Sequence, residues 1–138
     1  MAGDIDVGPR SRPIVWIVDD DASSRRAFAR LIRSHRLEAQ AFAGPGQLLR
    51  RLQSGRLHCA VLLLDIQLGA TTGFDLHDRL TRMGVSIPTI FMSGHDDAAT
   101  RERVARAGAK AYLVKPFDDA ALIGAIEVAL EGCQVRRS

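Results

Sequence analysis

The sequence predicts a doubly wound α/β domain, a parallel five-stranded sheet with helices on both faces. Short apolar runs rich in β-branched residues alternate with segments whose apolar residues recur at helical spacing. The runs are apolar throughout, which is typical of strands covered on both sides. The chain has 138 residues, 46% of them hydrophobic, enough for one core without disulfides or a structural metal.

The strands are predicted from apolar runs that end at turn residues or charges. The first run, Ile14–Val18, lies between Pro13 and three aspartates, and Gly44-Pro45-Gly46 ends the second. The other four predicted strands cover residues 39–43, 59–64, 89–92 and 111–114. Each strand is followed by a helical pattern, so the unit of strand and helix occurs five times.

The helices are predicted where apolar residues lie three or four positions apart. The first two cover about 22–35 and 47–53, and the third begins near Phe74, after a loop that contains Gly69 and Gly73. Asp96 or Asp97 caps the fourth, which runs through residue 107. The last begins at Asp118 or Asp119 and buries residues as far as Leu130.

The predicted domain covers residues 13–131, between a flexible arm at 1–12 and a tail at 132–138. The 19 basic residues exceed the 16 acidic ones, but the surplus lies mostly in the two ends, so we expect no direct nucleic-acid binding by this chain. No apolar run approaches the ~20 residues that a bilayer requires, so we expect no membrane association. Two cysteines make no disulfide framework and no secretory leader is recognisable, which favours the cytoplasm.

Ligand sites in open α/β sheets lie beyond the carboxyl ends of the strands. This rule selects the following residues: Asp19, Asp20, Asp21, Asp65, Ser93 and Lys115. Carboxylates that converge at one edge repel one another, and a hard cation such as Mg²⁺ relieves that repulsion. A lysine and a hydroxyl at the same edge suit a phosphoryl group, so the set predicts phosphoryl transfer onto a carboxylate.

At these residues the sequence resembles the receiver domain of two-component response regulators, most closely receivers of the nitrogen-fixation regulator type. The resemblance covers about residues 13–130 and depends on four segments in order. They are Val18-Asp19-Asp20-Asp21, Leu64-Asp65 with Gly73 eight residues later, Met92-Ser93-Gly94, and Tyr112-Leu113-Val114-Lys115-Pro116-Phe117. The resemblance implies a flavodoxin-like (βα)5 fold with strand order 2-1-3-4-5.

The resemblance also implies a role for each site residue. Asp65 would accept a phosphoryl group from a phosphohistidine. Mg²⁺ would be bound by Asp20, Asp65 and the backbone carbonyl of Gln67, with Asp19 acting through a water. Beyond this self-catalysed transfer and autodephosphorylation, no enzymatic activity is implied.

The remaining implied roles concern the switch. Lys115 would contact one phosphoryl oxygen, Ser93 would move to donate to another, and Tyr112 would turn inward behind Ser93. The Lys115-Pro116 peptide is expected to be cis. Asp21, Gly94 and His95 would lie beside the site, and Gln67 and His95 occupy positions that vary in the family and affect the access of water.

One departure from the family pattern lies after the phosphoacceptor. Leu68-Gly69 stands where Met-Pro is common, and glycine in place of proline should loosen this loop and change the phosphoryl lifetime or a partner contact.

The implied partners are a sensor histidine kinase or phosphotransfer protein, and a downstream protein or second copy. The downstream contact would use the last two helices and the fifth strand. Two alternatives stay open. The chain could be the receiver half of a DNA-binding transcriptional regulator, or, since Asp19-Asp20-Asp21-Ala22-Ser23 matches an Asp-x-Asp-x-Ser pattern, a haloacid dehalogenase-type phosphatase with Asp19 as its nucleophile.

Overall fold

A computed structural model describes residues 13–53 and 60–135, with side chains as far as Glu131. Strands and helices alternate along the chain, as the apolar runs predict. The elements are β1 (Ile14–Val18), α1 (Ala22–Ser34), β2 (Glu38–Phe42), α2 (Pro45–Gln53), β3 (Ala60–Asp65), β4 (Gln67–Leu68), β5 (Thr71–Thr72), α3 (Gly73–Arg82), β6 (Thr89–Ser93), α4 (Ala98–Arg106), β7 (Ala111–Val114) and α5 (Asp119–Val135).

The main sheet has five parallel strands in the order β2-β1-β3-β6-β7. This confirms the predicted order 2-1-3-4-5, because β4 and β5 form a separate two-stranded sheet and only shift the later numbers. The register sets where the strands end: Val18 lies opposite Leu64, Asp65 opposite Met92, and Ser93 opposite Val114. The residues just after these positions therefore meet at one edge.

Each face of the sheet has its own apolar core, because successive strand residues point to opposite faces. In β1, Val15 and Ile17 contribute to the core on one face, whereas Trp16 and Val18 contribute to the other. The first core receives buried residues from α1 and α5, and the second from α2, α3 and α4. The sheet is thus covered on both sides, which explains why its central strands are apolar apart from Asp65 at the end of β3 and Thr89 and Ser93 at the two ends of β6.

Polar side chains mark the starts of four helices, and at α5 the Asp118 carboxylate accepts from the Ala121 amide at 2.8 Å. The Asp21 carboxylate accepts a hydrogen bond from the Ser24 amide at the start of α1, and Asp97 does the same with Thr100 at α4. Thr72 and Asp75 form a reciprocal capping box at α3. Asp97, rather than Asp96, is therefore the cap of α4, and Asp96 is free for another contact.

Three local predictions need correction. α2 begins at Pro45, because proline suits a first helical turn. Residues 67–72 form the β4–β5 hairpin in place of the predicted loop, and Gly69 has a φ of 72° there, which proline cannot adopt. α5 continues to Val135, because residues 132–135 include no proline to stop a helix, so the predicted tail at 132–138 starts too early.

Some predictions lie outside the described residues, namely the arm at 1–12 and the strand position of Cys59. None of the helices in the described ranges combines the length and the apolar composition of a membrane span.

Candidate functional site

An acidic cleft of about 420 Å³ opens at the carboxyl ends of the parallel strands. Five of the six residues that the strand-end rule selected line this cleft, and the exception is Ser93. The lining residues are Asp19, Asp20, Asp21, Asp65, Gln67, Gly69, Gly94 and Lys115. The strand register brings them together from four parts of the chain.

The Lys115 ammonium group joins two carboxylates at the bottom of this cleft. Its Nζ donates to Asp65 Oδ2 at 2.7 Å and to Asp19 Oδ2 at 3.1 Å. The Asp19 side chain is fully buried, that of Asp65 is 8% exposed, and that of Lys115 is 27% exposed. These are charge-assisted bonds with little access for water, so they orient all three groups.

Backbone amides hold the second oxygen of each buried carboxylate. The Asp21 amide donates to Asp19 Oδ1 and the Gln67 amide donates to Asp65 Oδ1, both at 2.9 Å. Arg25 from α1 donates to the Asp19 backbone carbonyl at 2.8 Å. Asp19 therefore has both carboxylate oxygens and its carbonyl engaged within the protein.

The pKa values in the cleft reflect burial opposed by these contacts. Burial raises the pKa of Asp65 above its ordinary value, although the hydrogen bonds from Lys115 and Gln67 act in the opposite direction. Burial alone would lower the pKa of Lys115, but the hydrogen bond and charge of Asp65, together with the charge of Asp19, raise it. Lys115 is thus a cation at neutral pH.

Three carboxylates lie close enough to share one cation. Asp19, Asp20 and Asp65 each offer an oxygen, and these oxygens lie within 4.8 Å of one another. Asp20 is exposed, and among the described residues no hydrogen bond occupies its carboxylate. An all-oxygen donor set with one free carboxylate suits Mg²⁺, which prefers a few carboxylates and retains waters.

Gly73 allows the backbone after Asp65 to fold back closely. A Cβ at this position would overlap the Asp65 carbonyl oxygen and press on the Leu64 side chain. The Gly73 amide donates to the Ile66 carbonyl at 2.7 Å, which fixes the turn. In the sequence, Gly73 stands out only because it lies eight residues after Asp65. The close approach of the Asp65 carbonyl explains why a residue without a Cβ is needed there.

Ser93 lies at the end of β6 but its hydroxyl is directed to a local turn. Ser93 is 1% exposed, and its Oγ donates to the His95 carbonyl at 2.8 Å and accepts from the His95 amide at 2.9 Å. In the described structure it forms no hydrogen bond with Asp65. Ser93 is therefore beside the cleft, with its donor engaged elsewhere.

Tyr112 and His95 lie beside the loop that follows β6. The Tyr112 hydroxyl lies 3.5 Å from the His95 carbonyl and 3.3 Å from Asp96 Oδ1. The inward turn of Tyr112 behind Ser93 is expected on phosphorylation and stays a prediction. The His95 ring lies 3.2 Å from the Asp97 carboxylate and does not line the cleft. His95 contributes to the site through its backbone.

The Lys115-Pro116 peptide is cis, as predicted. The structure also shows contacts that the sequence did not predict, above all Asp96 with Tyr112 and Arg25 with Asp19. A local sequence signal existed only for Asp96, as one of two candidate caps.

Residues 15–127 match the family described as the response regulator receiver domain. The chain is a response regulator receiver domain. Nodulation protein W of Bradyrhizobium diazoefficiens is 36% identical to it over 127 residues, covering 92% of this chain and 55% of that protein. The transcriptional regulatory protein FixJ of Azorhizobium caulinodans is 32% identical over 128 residues, covering 88% and 56%.

A receiver protein from Burkholderia phymatum has a similar solved structure, with a TM-score of 0.76 and 38% identity over 87% of this chain and 96% of that one. This chain spans about half of the length of Nodulation protein W and of FixJ, in contrast. The shared part is thus the receiver, and the family is that of signalling phosphoacceptor domains.

Proposed function

We propose that this receiver accepts a phosphoryl group on Asp65. One observation supports it most directly: Asp65 is the cleft carboxylate that Lys115 contacts at 2.7 Å and that is not fully buried, with its side chain 8% exposed. Asp19, the other carboxylate bonded to Lys115, is fully buried, and neither Asp20 nor Asp21 contacts Lys115 in the described structure. Burial of Asp19 also argues against the phosphatase alternative, which needs Asp19 as its nucleophile.

The phosphodonor in this proposal is a phosphohistidine on a kinase or phosphotransfer protein. An Asp65 oxygen forms the new O–P bond, the N–P bond of the phosphohistidine breaks, and its electron pair returns to the imidazole nitrogen. Asp65 reacts as a carboxylate, and the Gln67 amide on Oδ1 fixes its plane. Positioning of this kind is a main source of catalysis in phosphoryl transfer.

The acidic side chains of the cleft hold the metal ion in this proposal. Asp20, Asp65 and the Gln67 carbonyl bind Mg²⁺ directly, and Asp19, which Lys115 already neutralises in part, acts through a water. When bound, Mg²⁺ neutralises charge on the transferred phosphoryl group. The carboxylate oxygens within 4.8 Å of one another support this assignment.

Two donors then receive the phosphoryl oxygens. Lys115, already 2.7 Å from Asp65, is close enough to contact a group attached there. Ser93 must first give up its bond to the His95 carbonyl, because its hydroxyl has a single proton to donate. Phosphorylation is thereby linked to the loop after β6, and Asp21, Gly94 and His95 lie around that path.

The proposal includes a cytoplasmic location, where kinases form phosphohistidine from ATP, and an output through protein contact. We place that contact, with a downstream protein or a second copy, on α4, β7 and α5. This surface adjoins the loop that Ser93 and Tyr112 contact.

Phosphotransfer from a panel of histidine kinases tests the proposal. The wild type and Asp78→Asn, an exposed carboxylate of α3 outside the cleft, should both become labelled in the presence of Mg²⁺. Asp65→Asn should remain unlabelled with every kinase. Labelling of Asp65→Asn at the wild-type rate would overturn the assignment.

A second candidate function stays open beside the first. Because the chain spans about half the length of Nodulation protein W and FixJ, the alternative is that this receiver is the regulatory half of a longer DNA-binding regulator. The length of the encoding reading frame distinguishes this from a single-domain receiver.

A further inference from the structure

The Tyr112 hydroxyl lies over the loop of residues 94–97, where its single proton is shared between two acceptors. One is the His95 carbonyl at 3.5 Å, and the other is Asp96 Oδ1 at 3.3 Å. Arg101 of α4 reaches the same Asp96 oxygen, with its guanidinium nitrogen at 3.0 Å. A side chain of the loop thus connects the phenol on β7 with a cation on α4.

We propose that Asp96 is a positioning residue that holds Tyr112 against the loop and so opposes the change that phosphorylation produces. Arg101 keeps the Asp96 carboxylate in place for this contact. The inference rests on the proposed function, because it assigns to Asp96 an influence on the same Asp65 site.

The shared acceptor connects this contact to the cleft. The His95 carbonyl receives both the Ser93 hydroxyl, at 2.8 Å, and the Tyr112 hydroxyl. When the Ser93 hydroxyl turns to a phosphoryl oxygen, the His95 carbonyl loses its hydrogen bond from Ser93. The loop that carries this carbonyl can then move. The bond to Asp96 then remains as the contact that retains Tyr112.

Asp96 is suited to this role because it is not needed for the helix. The cap of α4 is Asp97, whose carboxylate accepts from the Thr100 amide and lies 3.2 Å from the His95 ring. Replacing Asp96 therefore removes the contacts to Tyr112 and Arg101 without uncapping α4. A change at Asp97 would instead uncap α4 and leave the contact between Asp96 and Tyr112 in place.

Tyr112 provides a direct readout, because it is the only tyrosine of the chain. Burial raises its pKa, and the nearby charge of Asp96 raises it further, whereas the Ser93 side chain acts in the opposite direction. A spectrophotometric titration of the phenol should give a lower pKa in Asp96→Ala than in the wild type. Glu102→Ala, on the same helix and paired with Arg106, should leave the titration unchanged.

The second measurement is the affinity for beryllofluoride with Mg²⁺, a phosphoryl mimic. Asp96→Ala should bind it about threefold to tenfold more tightly, the effect of losing one hydrogen bond that opposes the change. Asp96→Asn keeps an acceptor oxygen, so its affinity for beryllofluoride should be close to that of the wild type. The control Glu102→Ala should have the wild-type affinity.

The outcomes separate the two proposals. If the wild type binds the mimic and Asp96→Ala binds it no more tightly, or if the Tyr112 pKa is the same in Asp96→Ala, the role of Asp96 is overturned. If the wild type binds no mimic while the Tyr112 pKa shifts as stated, the function proposed for Asp65 fails, whereas the contact between Asp96 and Tyr112 is supported.

Discussion

The acidic cleft and the Tyr112 loop lie at the same edge of the sheet but are held in different ways. In the cleft, Lys115 bonds at 2.7 and 3.1 Å to carboxylates that are almost fully buried. In the loop, Tyr112 bonds at 3.3 and 3.5 Å, and the Arg101 and Asp96 side chains are 55% and 35% exposed. Short, buried, charge-assisted hydrogen bonds keep the side chains of the cleft in a single arrangement. Long, exposed hydrogen bonds are readily replaced by bonds to water or to another group.

The difference suggests a division of labour. A transfer site needs groups that are in place before the donor arrives, and the cleft has them. A switch needs contacts weak enough to be exchanged, and the long, exposed bonds of Tyr112 are of that kind, whereas the 2.8 Å bond from Ser93 to the same loop is exchanged for a bond to a phosphoryl oxygen. Mutations in the two regions should therefore differ in their effect on stability.

The largest effect is expected for Lys115→Met. The change leaves Asp19 and Asp65 buried beside each other without a cation, and should cost about 1–3 kcal/mol of unfolding free energy, discounted for the partial exposure of Lys115. Urea unfolding measures it, and Mg²⁺ should restore more stability to this variant than to the wild type. The exposed Lys110, replaced by Met, is the control, and equal stability of the two variants would contradict the account.

Gly73→Ala should have the next largest effect, a loss of about 1–3 kcal/mol, because the added methyl meets the Asp65 carbonyl and Leu64. Gly124→Ala is the control, and its effect on the unfolding free energy should have the opposite sign. No atom lies within 4 Å of a Cβ there, and alanine in a helix interior should gain about 0.5–1 kcal/mol. Thermal unfolding of both variants tests the contrast, and a neutral Gly73→Ala would remove the close approach from the account.

Asp65→Asn should show a pH-dependent effect. Burial raises the pKa of Asp65 in the folded protein above its unfolded value, so the folded wild type binds a proton more tightly than the unfolded chain does. The wild type therefore gains stability as the pH falls through the folded pKa, and the variant does not. Asp65→Asn should be at least as stable at neutral pH, and its advantage should shrink in acid. An advantage that grows in acid would have the wrong sign.

The smallest effect is expected for Tyr112→Phe. Its hydroxyl makes only long, exposed bonds, so the unfolding free energy should change by less than about 0.5 kcal/mol. Urea unfolding beside the wild type provides the measurement. A loss comparable to that of Lys115→Met would mean that the loop is held as firmly as the cleft.

The sequence predicted the cleft well because its residues are fixed by topology. Once the strands are parallel and in register, whatever follows Val18, Leu64, Met92 and Val114 meets at one edge. Asp19, Asp65 and Lys115 could be selected on that ground alone.

The loop was predicted less well because its contacts depend on how α4 packs. Nothing in the local sequence tells whether Asp96 or Asp97 caps α4, and only the remaining one is available to Tyr112 and Arg101. Likewise, the β4–β5 hairpin depends on a positive φ at Gly69, which glycine permits but does not require.

The central claim, that Asp65 accepts the phosphoryl group, is tested most directly by reaction with acetyl phosphate and Mg²⁺ followed by mapping of the modified residue. The account predicts a single label on Asp65, with Asp19 unmodified. A label on Asp19 together with multiple turnovers would contradict it and indicate a phosphatase instead.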